Sequence, residues 1–210
     1  MSRVLGQVQR ALEGLYRVEA EANVADFVIT EEERAALGVK RAPREQLLLR
    51  QRQGELEVGL FVDEVALRRL ERGLDESNLE EFLLVVEGVS HFLYVTVRAR
   101  QERPFSALEL ELQAEVDKYL LALLTAWSLR GEPPEGLRER LFAHVRFHAD
   151  LSGEERDRYR AANQAAGGFA ASLEERYVRR RAPGGLFDEV RRFYRLGCGG
   201  KLGHIARKAA

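Results

Sequence analysis

The sequence predicts an α+β fold: two antiparallel β-hairpins, about 45–62 and 91–113, packed with helices and followed by a helical C-terminal half. Three observations carry this. A charge-matched pattern of period two flanks Gln53-Gly54. The run Phe92–Ala99 is rich in β-branched and aromatic residues and is answered by alternation at Leu108–Leu112. The other segments carry capping boxes and apolar residues at helical spacing.

Val4, Val8, Leu12, Leu15 and Tyr16 recur at helical spacing within residues 3–19, which predicts an amphipathic first helix. Asp26-Phe27-Val28-Ile29 suits a short extended segment. Thr30-Glu31-Glu32-Glu33 is a capping box, because a Thr oxygen can take the N–H three residues on while the Glu carboxylate reaches back. The short helix that follows stops at Gly38.

For the first hairpin, a glycine in the second turn position suits a two-residue connection. Strands Glu45–Arg52 and Glu55–Val62 then place Arg52 opposite Glu55, Arg50 opposite Glu57, Leu49 opposite Val58 and Leu47 opposite Leu60. Opposite charges meet on one face and aliphatic side chains on the other, as cross-strand energetics favour. Asp63 or Glu64 begins a helix with Val65, Leu67 and Leu70, closed at Gly73.

Residues 77–129 are the longest apolar stretch and hold the core. Ser77-Asn78 starts a helix through Val86. Wound as one helix, residues 107–127 would set Glu109, Gln113 and Asp117 along one side and Glu111, Glu115 and Lys118 along another. Two separated apolar stripes would remain. Alternation at Leu108-Glu109-Leu110-Glu111-Leu112 and the cluster Tyr94-Val95-Thr96-Val97 predict strands instead. A turn near 101–104 pairs Val97 with Leu108 and Val95 with Leu110, and a helix runs from about Ala114 to Leu129.

Gly131-Glu132-Pro133-Pro134 divides the chain into an α+β core domain, 1–130, and a helical region, 131–210, packed on the same core. Helices are predicted over Glu135–Phe147, from the capping box Ser152-Gly153-Glu154-Glu155 to about Arg180, over Leu186–Leu196, and in a short segment after Gly197-Cys198-Gly199-Gly200.

Composition limits function. Acidic and basic residues nearly cancel, for a formal charge of −1, so the whole chain has no bias toward a polyanion or an anionic membrane. The single cysteine, Cys198, excludes an internal disulfide and a multi-thiolate zinc site. The N-terminus lacks a signal-peptide apolar segment, and Arg98 and Arg100 cut the best membrane-spanning candidate short. A cytoplasmic protein without membrane contact is expected.

Glu87 and His91, four apart, combine a carboxylate and an imidazole near the core, and His144 and His148 share one face of a helix. Together Glu87, His91, His144 and His148 form the candidate metal set, and a divalent ion is the cofactor it admits. The His-Glu-x-x-His pattern of zinc proteases is not met, since Val145 follows His144. Cys198 lies between glycines near Arg195 and Lys201, without the spacing of a phosphate loop. From Arg176 to Ala210 there are ten Arg or Lys against two acids, interleaved with Tyr177, Phe187, Phe193 and Tyr194. Arg179, Arg180, Arg181, Arg191, Arg192, Arg195 and Lys201 are therefore candidates for nucleic acid or another polyanion.

No motif of a catalytic class passes its own test. The leading expectation is a cytosolic accessory or regulatory protein acting by contact with a protein partner or by self-association. Two alternatives stand beside it: a metal-dependent hydrolase or oxidase, and nucleic-acid binding through the basic C-terminal segment.

Overall fold

The computed structural model describes residues 2–39, 43–52, 54–143, 145 and 151–209. By internal contacts these fall into two compact units, residues 1–14 with 18–103 and residues 15–17 with 104–210. The structure is mostly helical with one two-stranded antiparallel sheet among the described residues, an α+β composition with one hairpin rather than two.

The first unit opens with helix α1, Ser2–Tyr16, whose last residues group with the second unit. Val8 and Leu12 are buried, as the spacing predicts; Leu5 is buried as well, while Val4, expected on the same face, is half-buried. Gln9 ties the helix to the chain that follows: its Nε2 donates to the Ala22 carbonyl (2.7 Å), and its Oε1 accepts from the Val24 N–H (2.8 Å). A 3-10 turn occupies Val24–Phe27, so Asp26 and Phe27 leave the extended segment expected at 26–29, whereas Val28 is extended and bridges to Leu60; Asn23 caps the turn, accepting from the Ala25 N–H at 3.1 Å. Helix α2, Glu31–Ala36, starts at the Thr30 capping box with both reciprocal bonds formed.

Strands β1, Glu45–Arg52, and β2, Glu55–Val62, pair in the register that the charges dictate: Arg52 with Glu55, Arg50 with Glu57, Leu49 with Val58, Leu47 with Leu60. Gly54 takes a left-handed φ of 89°, which the turn requires and a side chain would oppose. At its base the hairpin is covered on both faces. Gly59 lies against Ile29, and Phe61 lies under the guanidinium of Arg34, 3.7 Å from the ring centroid. On the other face Leu60 is fully buried and touches helix α4, Leu79–Arg100, at Gly88. Helix α3, Glu64–Leu70, is capped by Asp63 and buries Ala66, Leu67 and Leu70. Phe27 and Phe92 meet at 5.0 Å between ring centroids. Residues 76–100 form a helix long and apolar enough to cross a membrane by composition, with 72% of its apolar window buried inside the protein.

The expected hairpin at 91–113 is corrected. Residues 91–100 are the second half of α4, and residues 107–113 open helix α5, Ala107–Arg130, seven residues ahead of the expected Ala114 start. β-branched residues cost a helix only a few tenths of a kcal/mol each, roughly, and burial outweighs that. In α4, Val89, Phe92, Leu93, Tyr94, Val95 and Val97 are all buried. In α5 the alternation reflects polar residues that are themselves interior: Glu109, Glu111, Gln113 and Asp117 are buried.

In the second unit Ser106 caps α5, accepting from the Glu109 N–H at 3.1 Å, and Gly131 ends the helix at φ 75°. Helix α6, Leu137–Phe142, is shorter than the expected 135–147; residues 144 and 146–150 lie outside the described set. Helix α7, Gly153–Leu173, starts at the Ser152 capping box as predicted. Ala162, Ala166 and Ala170 recur every four residues and are buried, which lets α7 pack closely against its neighbours. A π-helical turn, Glu174–Val178, follows it. Helix α8 runs from Pro183 to Arg195, three residues ahead of the expected Leu186 start, and α9 spans Cys198–Ala209. Phe169 of α7 stacks on Phe193 of α8 at 4.1 Å, centring this core.

Candidate functional site

Glu87 and His91 both belong to α4, one turn apart, in mid-helix rather than at the helix-to-strand junction expected from sequence. That spacing puts the two side chains on one face, and their ligand-type atoms lie within 4.8 Å of each other. His91 is 6% exposed. Strand β1 supplies a third group that sequence reasoning missed. Glu45 Oε1 lies 3.6 Å from His91 Nδ1, and both side chains are buried.

Gly88 explains how a strand carboxylate comes this close to the helix. A Cβ at position 88 would lie 3.0 Å from Glu45 Cγ, 3.1 Å from Glu45 Oε1 and 3.1 Å from Leu60 Cδ1. Glycine therefore permits the hairpin base to settle on α4 beside His91. A signal for Glu45 was in the sequence: by the register it shares the hairpin's apolar face with Leu47 and Leu49. A carboxylate on a core-facing position needs a polar or cationic neighbour. Chemically, an imidazole between carboxylates can hold a metal ion or pass a proton.

His144 and His148 lie outside the described residues. The remaining histidine, His204 of α9, is buried: its Nε2 lies 2.7 Å from Glu189 Oε1, and Lys208 Nζ is 2.9 Å from the same oxygen. Burial pushes the Glu189 carboxyl up, but hydrogen bonds and charge from Lys208 and His204 outweigh it and hold the group below its ordinary value.

Arg179, Arg180, Arg181, Arg192 and Arg195 are exposed. Arg191, half-buried, donates from Nε to the Leu15 carbonyl (2.8 Å), and Arg195 donates to the carbonyls of Arg191 (2.8 Å) and Tyr16 (3.4 Å). These two guanidinium groups thus serve the C-terminal carbonyls of α1, where orphan acceptors and the helix dipole favour a cation. Lys201 is fully buried. Its ammonium donates to Gln113 Oε1 and lies 5.0 Å from the Phe193 ring and 5.9 Å from that of Tyr194.

Lys201 ends a buried polar chain that sequence reasoning did not identify. Tyr16 donates its hydroxyl to Asp117, while Gln113 Nε2 lies 2.8 Å from Asp117 Oδ1 and 3.1 Å from the Tyr16 oxygen. Burial, then the charge of Asp117, push the Tyr16 phenol well above its ordinary value, so it stays a donor. One turn earlier on α5, Glu109 Oε2 accepts from the Cys198 N–H at 2.8 Å. Glu109, Gln113 and Asp117 were legible as one stripe; what they face was not.

Comparison with protein-family models, with curated proteins and with solved structures finds no match for this chain.

Proposed function

We propose that the protein binds a divalent transition-metal ion through Glu87 and His91 and acts as a metal-dependent enzyme of hydrolytic or oxidative class. The observation that supports this is His91, buried on α4 with Glu87 one turn away and Glu45 Oε1 3.6 Å from its Nδ1. Imidazole and carboxylate suit zinc, manganese or iron. A carboxylate beside a ligating imidazole can orient it and raise its basicity. A site with few protein ligands keeps positions for water or substrate, and a bound water is acidified there.

Calorimetric titration of metal-free protein with Zn2+ and Mn2+ tests the reading. Saturable binding is expected in the wild type. Glu45→Gln should lower affinity by about 10- to 100-fold, the size of effect that loss of an orienting group has elsewhere. Glu87→Gln and His91→Ala should lower it further. Wild-type protein that takes up neither ion contradicts the proposal.

The reading as an accessory protein acting through protein contact has its own support. Leu49 and Leu56, 41% and 39% exposed, share one face at the tip of the hairpin, beyond the part covered by α4. Apolar side chains at a strand tip suit a partner surface or a second copy. Light scattering on wild type and on Leu49→Glu/Leu56→Glu tests self-association: the variant should shift a wild-type oligomer to monomer. A wild-type monomer across the accessible concentration range contradicts it.

A further inference from the structure

The first unit contains a cavity of ≈540 Å3 that plays no part in the site above. Leu5, Val28, Ile29, Phe61 and Leu67 give it an apolar lining, drawn from α1, the segment before α2, the end of β2, and α3. Its size falls in the range of small-molecule sites, roughly 300–1,000 Å3, which are mostly apolar with a few placed polar groups. The polar groups here have one sign. Glu31, Glu32, Asp63 and Glu64 stand among the lining residues, and no lysine or arginine does.

The electrostatic balance depends on what already pairs with those carboxylates. Glu31 is matched by Arg34 at 2.5 Å, Asp63 by Arg44 at 2.9 Å, and Glu64 by Arg68. Asp63 is also committed as the cap of α3, accepting from the Val65 N–H at 2.8 Å. Burial raises its carboxyl, but Arg44 and the helix N–H groups lower it further, so it is ionised at neutral pH. Glu32, exposed on the first turn of α2, has no cationic partner among the described residues. Among the described residues one negative charge is thus in excess beside an apolar hollow.

We propose that this cavity binds a small organic cation: a primary or substituted ammonium carried on an apolar aliphatic or aromatic body. The body fills the space between Leu5, Ile29, Phe61 and Leu67, and the ammonium sits at the carboxylate rim, with Glu32 as its principal counter-charge. A carboxylate-bearing ligand of the same shape is disfavoured by the excess charge of Glu32, since the other three acids are matched by arginines, and a neutral one gains the apolar contact alone.

A matched set of probes reads this directly: 4-phenylbutylammonium, 4-phenylbutanol and 4-phenylbutyrate, titrated against the full-length protein at neutral pH by NMR. The amine should bind about tenfold tighter than the alcohol, as one well-placed charge contact of about 1.4 kcal/mol would give, and the acid should bind more weakly than the alcohol. Glu32→Gln, on an exposed position that leaves the fold intact, should bring the amine to the level of the alcohol. Added salt should do part of the same. Ile29→Trp should exclude all three by filling the space. The proposal is overturned if no probe binds at millimolar concentration, if the acid binds as well as the amine, or if Glu32→Gln leaves amine binding unchanged. None of these readouts involves a metal ion, so failure here and failure of the metal reading are separable.

Discussion

Glu45 Oε1 sits 3.6 Å from His91 Nδ1, and the Glu45 side chain reaches α4 there by packing on residue 88, which has no side chain. The relationship joins the first residue of the hairpin to the middle of the most buried helix. It makes the hairpin part of the candidate site, in addition to cover for the core.

Gly88→Ala tests that joint. The substitution gains about 1 kcal/mol of helix propensity, but the new methyl must displace Glu45 and Leu60 from contacts of 3.0 and 3.1 Å. Overpacking costs typically about 1–3 kcal/mol, so net destabilisation of about 1 kcal/mol is expected in chemical denaturation. A more stable variant would show that the hairpin base yields without strain.

Tyr16→Phe should destabilise by about 1–3 kcal/mol, because Asp117 and Gln113 lose a buried hydrogen-bond partner. The phenol's value is raised in the folded state above its ordinary 10.0. The linked stability is therefore fully present below about pH 10 and lost as pH rises further, since the unfolded chain then releases a proton that the folded one keeps. Denaturation curves from about pH 8 to about pH 11 should show a steeper alkaline loss in wild type than in Tyr16→Phe. Equal slopes would contradict the burial argument.

Lys201 and Arg192 belong to one basic segment, yet their variants should behave differently. Lys201→Ala removes a fully buried side chain and the donor to Gln113, and should cost about 2–4 kcal/mol. Arg192→Ala, at an exposed position, should stay within about 0.5 kcal/mol. Thermal denaturation of the pair compares them; equal, small effects would mean that Lys201 contributes no more than a surface residue.

Local chemistry was the legible part of this sequence. The Thr30 and Ser152 capping boxes and the 45–62 register are fixed by neighbours a few residues apart, and the structure forms each as read. The second hairpin was misread because a period-two pattern at Leu108–Leu112 normally marks one wet and one dry face. In α5 the polar set is the interior one, with Leu108 and Leu110 only half-buried, and Glu109, Gln113 and Asp117 find Cys198, Lys201 and Tyr16, partners 89, 88 and 101 residues away. Buried polar residues with distant partners carry the same signature as surface residues until the fold is known. In the candidate site the same holds for Glu45: the Glu87/His91 spacing was readable, whereas the strand carboxylate depended on which face of the hairpin meets α4 and on the gap at Gly88.

Elemental analysis of protein purified without a histidine tag, after exposure to zinc and manganese and removal of free ions, tests the central claim most directly. The account predicts close to one equivalent of metal per chain in the wild type, and its loss in a folded Glu87→Gln/His91→Ala variant. Metal-free wild type, or equal metal content in the folded double variant, would contradict it.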